Sequence, residues 1–168
     1  AEEFCSAVQE ADAIYCMGWG ISALPAEWLY TRFNELGLKS ILMRRGSLSL
    51  TEQARGISSD DMLIVCELPS YVIEVAETVQ KIASRGTYIA AIIDSPAAPV
   101  CEHSHINFYV SDNSPLFGSS LIGSMFAVHV LTSFLAQDMG SEGREALRTQ
   151  KESLNDERIY YPSYDLRY

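Results

Sequence analysis

The chain of 168 residues carries 12 Lys and Arg against 22 Asp and Glu, a formal charge of −10, and 48% of it is hydrophobic. That length supports one domain with a substantial core, and the apolar fraction excludes a disordered chain. An acidic chain whose largest basic cluster is Arg44-Arg45 repels phosphate backbones, so nucleic-acid binding by these residues themselves is excluded as a leading function.

Cys5, Cys16, Cys66 and Cys101 show no CxxC spacing and fit small residues in a reduced, cytoplasmic protein rather than a zinc site. A signal peptide and a membrane span are not expected, because the most apolar stretch, 116–136, is interrupted by Gly118, Ser119, Ser120, Gly123, Ser124 and His129. The chain opens on helix-compatible residues without Met, which leads us to expect a piece of a longer protein.

In chain order, the spacing predicts a helix over 2–10, then an apolar strand over 13–17 that ends in Gly18-x-Gly20-x-Ser22. A helix follows over 24–36, then strands over 40–43 and 62–66, a helix over 71–85, and strands over 88–93 and 106–110. A long helix over 116–137 and a polar surface helix over 144–155 complete the pattern, ahead of a tail, 160–168, with four tyrosines and a proline. Near-continuous apolar strands alternating with helices predict a parallel five-stranded sheet covered on both faces, a three-layer α/β/α sandwich built as a helix followed by five βα units, each strand with a helix after it. Gly37, Gly86 and Gly140 fall where helices should stop, and Pro25 and Pro69 near where helices should start.

In such sheets ligands bind beyond the carboxyl ends of the strands where strand order reverses. The loops 18–22 and 67–71 are therefore the default site. Gly18, Gly20 and Ser22 have the composition of an anion cradle, since glycines admit close backbone approach and a helix start presents unpaired N–H groups; the alternative is a plain turn with Ser22 as N-cap. The loop with Ser47, Ser49 and Thr51 is placed to close over the site, and Ser119 and Ser120 to reach it from the front of the long helix. Glu67 has two readings, a ligand-sensing or general-base carboxylate and a solvated loop acid. Ser70 is expected to cap the next helix. His129, on an apolar helix, is expected inside the molecule or at an interface. His103 and His105 share a strand face at most, and with no third ligand nearby a metal site is not expected.

Together these features resemble the sugar isomerase (SIS) phosphosugar-binding domain, and within it the effector domain of RpiR-type bacterial transcription regulators. The resemblance rests on Glu10-Ala11 before Ala13-Ile14-Tyr15, Gly18-x-Gly20-x-Ser22, Ala26, Leu36-Gly37 and Asp61-Met62-Leu63-Ile64-Val65. It continues through Ala83-Ser84-Arg85-Gly86, Ile89-Ala90-Ala91-Ile92-Ile93-Asp94 and Pro99-Val100-Cys101. It covers roughly 1–140, leaving 141–168 as a C-terminal helix and tyrosine-rich tail. It departs at the loop after the third strand: members carry Ser-x-Ser-Gly-x-Thr to hold the sugar phosphate, where this chain has Cys66-Glu67-Leu68-Pro69-Ser70-Tyr71. A second hydroxyl-bearing element is replaced by Ile93 and Ala98-Pro99-Val100-Cys101.

The resemblance implies a sugar-phosphate-sensing, dimerising module of a transcription regulator, with a degenerate phosphate loop, no cofactor, no membrane partner and no catalysis of its own. Contacts would come from Gly18, Gly20, Ser22, Ser47, Ser49, Glu67, Ser70, Ser119 and Ser120. DNA would be bound through a region outside this chain, and the long apolar helix and the tail would pack on a second copy in a homodimer or larger homo-oligomer. One alternative is an aldose–ketose phosphate isomerase, for which His129 and Glu145 are the candidate bases. Another is a dimerisation scaffold without a ligand.

Overall fold

In the computed structural model, which describes residues 1–156, the five apolar runs become the strands β1 (Ile14–Gly18), β2 (Ser40–Met43), β3 (Met62–Glu67), β4 (Tyr88–Ile93) and β5 (Ile106–Tyr109). All pairings are parallel, in the order β2-β1-β3-β4-β5. The helices are α1 (Glu2–Glu10), α2 (Ala23–Glu35), α3 (Leu50–Gln53), α4 (Ile73–Ala83), α5 (Ile122–Asp138) and α6 (Ser141–Asp156). The predicted fold class is correct, and its physical basis is the central strand: every residue of β3 is buried. A strand covered on both faces needs apolar side chains at successive positions instead of alternating ones.

Alternate residues feed two cores. Ile14, Cys16, Met62, Ile64, Cys66, Ala90 and Ile92 meet Phe4, Leu29, Phe33 and Leu135 from α1, α2 and α5. Met17, Leu63, Val65, Ile89, Ala91 and Ile93 meet Leu50, Val75, Val79 and Ile82 from α3 and α4. Helix α6 packs against α5 and α2. Its fit is tight at Gly143, where a Cβ would lie 2.6 Å from the Ala136 carbonyl oxygen.

Three expectations need correction. β4 and β5 are joined by a 3-10 turn, Pro99–His103, and not by an α-helix, with Pro99 setting the turn's first residues. The long helix starts at Ile122, six residues later than predicted, because 112–120 is tied down: the Ser120 amide donates to the Asp112 carbonyl at 2.7 Å, and the Ser119 hydroxyl to the Pro69 carbonyl at 2.7 Å. α4 starts at Ile73 with Val72 as its N-cap, so Ser70 is not the cap. The tyrosine-rich tail lies outside the described residues.

Candidate functional site

Strand order reverses between β1 and β3, whose ends are paired at Gly18 and Cys66. The loops leaving these strands diverge to helices on opposite faces and leave a crevice of about 280 Å³. Its lining includes Trp19, Gly20, Ile21, Ser22, Glu67 and Ser70.

On the β1 side the chain turns through a 3-10 segment, Gly20–Ser22, before α2. Gly20 has φ +59°, in the left-handed region. Gly18 is required for a different reason: a Cβ there would lie 2.1 Å from the Ser22 carbonyl oxygen and 2.6 Å from its carbon. The start of α2 is thus packed directly onto the end of β1. Ser22 is buried and makes no side-chain cap bond; its Oγ instead accepts the Leu68 amide at 3.1 Å. Neither earlier reading of Ser22 describes this bond, which ties the two loops together across the crevice.

On the β3 side Glu67 is 3% exposed, so the solvated-acid reading is wrong. Period two explains its position, because it follows Leu63 and Val65 on the face that packs on α4. Its Oε1 accepts the amide of Val72, the residue just before α4, at 3.3 Å, which places the carboxylate beside the positive end of that helix. Its Oε2 is buried with no hydrogen-bond partner. Burial pushes the Glu67 carboxyl above its ordinary range and nearby Asp94 adds to this, while the amides of Val72 and Val100 favour the charged form.

Sequence reasoning missed the pair beside it. Tyr71 donates to both oxygens of Asp94, at 2.9 and 3.1 Å. Burial, then the bond to Asp94, push the tyrosine up to about 12. Asp94 follows β4 directly, so the carboxyl-end rule applied to that strand pointed to it. Cys66 lines the crevice but burial pushes its thiol up to about 12, which makes it a poor nucleophile.

The remaining predicted contacts separate. Ser119 reaches the rim, donating to Pro69 and lying 3.0 Å from Asp112 Oδ2. The Ser120 hydroxyl accepts the Ile122 amide at 3.3 Å at the start of α5. Ser49 forms a capping box with Glu52 on α3, and Ser47 is exposed on the same loop; neither lines the crevice. His129 is exposed and stacked on Trp28, with ring centroids 6.2 Å apart, so it is not an interior histidine. Glu145 pairs with Arg148 on α6, at 2.6 Å. Neither candidate base lines the crevice. His105 Nδ1 accepts the Ile89 amide, and among the described residues no cluster of His, Cys, Asp and Glu could hold a metal ion.

An open, all-parallel sheet with helices on both faces and a crevice at its switch point defines a three-layer α/β/α domain. A family model of the SIS domain matches residues 8–136, and the chain belongs to that family. Among solved structures it is similar to the sugar isomerase domain of an RpiR transcription factor from Sphaerobacter thermophilus, at TM-score 0.83 and 22% identity over 90% of this chain and 84% of that one. It is also similar to Vibrio vulnificus NanR in complex with ManNAc-6P, at TM-score 0.82 and 21% identity, covering 92% of this chain and 60% of NanR. A Methanococcus jannaschii protein whose structure infers a 3-hexulose-6-phosphate isomerase matches at TM-score 0.62 and 19% identity, over 96% of this chain and 84% of that one. No curated protein matches the sequence. Among the described residues, no helix is long and apolar enough to cross a membrane.

Proposed function

We propose that this domain senses a carbohydrate derivative and dimerises, as the effector half of a bacterial RpiR-type transcription regulator, without catalysing a reaction. The observation that carries this is the separation of parts: a sugar-sized crevice stands at the switch point, while His129 and Glu145 lie on α5 and α6 outside its lining, which leaves the buried Glu67 as the one acid within it. A general base must come within hydrogen-bond reach of the proton it moves. The higher TM-scores with the RpiR and NanR structures than with the isomerase support the same reading. Gly18, Gly20 and Ser22 shape one wall, Glu67 and Ser70 the other, and Ser119 holds the Pro69 carbonyl in place.

Helix α5 supplies the dimer contact in this proposal. Ile122 and Phe126 are 81% and 67% exposed on it, and on α2, which packs against α5, Leu24 is 52% exposed. A helix that is apolar on its outer face as well as its inner one is covered by something. A second copy joined there would carry a ligand-dependent change to DNA-binding segments outside this chain.

Sedimentation of the chain and of Phe126→Glu, together with assays on pentose and hexose phosphates, tests the proposal. The chain is expected to sediment as a dimer, the variant as a monomer, and neither to interconvert any sugar phosphate. Turnover that Glu67→Gln abolishes would establish the isomerase instead, with Glu67 as base, a role its raised carboxyl value permits.

A further inference from the structure

A separate cavity, of about 260 Å³, opens between α2, α5 and α6 and shares no lining residue with the switch-point crevice. That is below the roughly 300–1,000 Å³ of sites for drug-sized ligands, so its occupant is small. Its polar lining carries charges of both signs, from Arg32 and Glu35 on α2, together with His129 and Ser133 on α5. Its apolar lining comes from Leu36, Ala136 and Leu147.

Each charge is set where a ligand group can use it. Arg32 Nη1 meets Glu35 Oε2 at 2.7 Å, with the two side chains 31% and 17% exposed. A part-exposed pair of this kind contributes about 0–1 kcal/mol, so exchanging it for two ligand contacts costs little. The single bond to Glu35 leaves most of the five guanidinium N–H donors for an acceptor. Glu35 is the last residue of α2, at the negative end of the helix dipole, where an acid is disfavoured and an added cation is favoured. The Trp28 indole sets the two groups opposite: the Arg32 guanidinium carbon lies 5.4 Å from its ring centroid, and the His129 ring is stacked on it at 6.2 Å. Ser133 stands one turn beyond His129 on the same face of α5.

We infer that this cavity takes a small aliphatic α-amino acid. Its carboxylate lies on Arg32, His129 and Ser133, its ammonium on Glu35, and its side chain against Leu36, Ala136 and Leu147. A zwitterion is the class selected because the walls carry one acid and one base: a simple anion meets Glu35, and a simple cation meets Arg32. Binding replaces the internal ion pair by two pairs of the same kind and leaves the charge balance unchanged.

Calorimetric titration of the chain with L-alanine, L-valine and L-leucine, and with the N-acetyl and carboxamide forms of each, tests this. At least one amino acid should bind, and at least tenfold more tightly than either of its blocked forms. Glu35→Gln should remove the discrimination against the N-acetyl form and Arg32→Gln that against the amide, a matching of variant to blocked group that a loosened helix would not produce. A cooperative melt checks that each variant folds; should neither fold, the wild-type series decides. Failure of every amino acid to bind at millimolar concentration, or equal binding of the amino acids and their blocked forms, overturns the inference. Either result leaves the sensor reading of the crevice standing, because the two sites have no lining residue in common.

Discussion

The two loops at the switch point start from the same place on adjacent strands and solve the helix start in opposite ways. After β1, the chain removes side chains: Gly18 lets the α2 start lie against the strand end, and a Cβ there would stand 2.1 Å from a backbone oxygen. After β3, the chain adds one: Glu67 turns its carboxylate onto the amide of Val72, just ahead of α4. The first wall is fixed by backbone contact and the second by a titratable side chain.

The contrast breaks first at Gly18. Gly18→Ala should destabilise the domain by about 3 kcal/mol, since the atoms it meets are backbone and cannot rotate away, and a thermal melt within a degree of wild type would show that the contact is not tight. Ser22→Ala severs the bond between the loops and leaves the Leu68 amide without its acceptor. A loss of about 1–3 kcal/mol is expected in denaturant unfolding.

Glu67→Gln sharpens the comparison through pH. The folded value of Glu67 is raised above the unfolded one, so the stability this group contributes is present in acid and is lost as pH rises through the folded value. The variant should therefore melt above wild type at about pH 8 and converge with it below about pH 4. A variant less stable at the higher pH would show that the charge is compensated in the native state. The smallest effect is expected at Ser70: Ser70→Ala should change stability by less than about 0.5 kcal/mol, because Val72 and not Ser70 stands at the helix start.

Much of this was legible in the residues. The bounds 40–43 and 88–93 match the strands to the residue, and β4, buried at every position after its first, shows why: a strand covered on both faces announces itself by unbroken apolar content. The switch-point loops followed from the alternation of strands and helices. The start of the long helix is not legible: 116–121 is apolar enough to continue it, and what stops it is a pair of contacts, Ser119 to Pro69 on another loop and Ser120 back to Asp112 within its own. Ser70 is not legible for a similar reason: a serine before an apolar run is a local signal of a cap, whereas the N-cap position falls two residues further on, at Val72.

The sequence by itself determined the layers, the parallel sheet and the two loops that meet, because hydrophobic period and glycine position are local properties that survive without coordinates. Only the tertiary structure decided what those loops do. Burial, hydrogen-bond pairing and raised carboxyl values depend on neighbours brought from other elements. They set Glu67 in the interior with its carboxylate on the Val72 amide, made Ser22 a strut between the walls, and left the His129 ring exposed on Trp28.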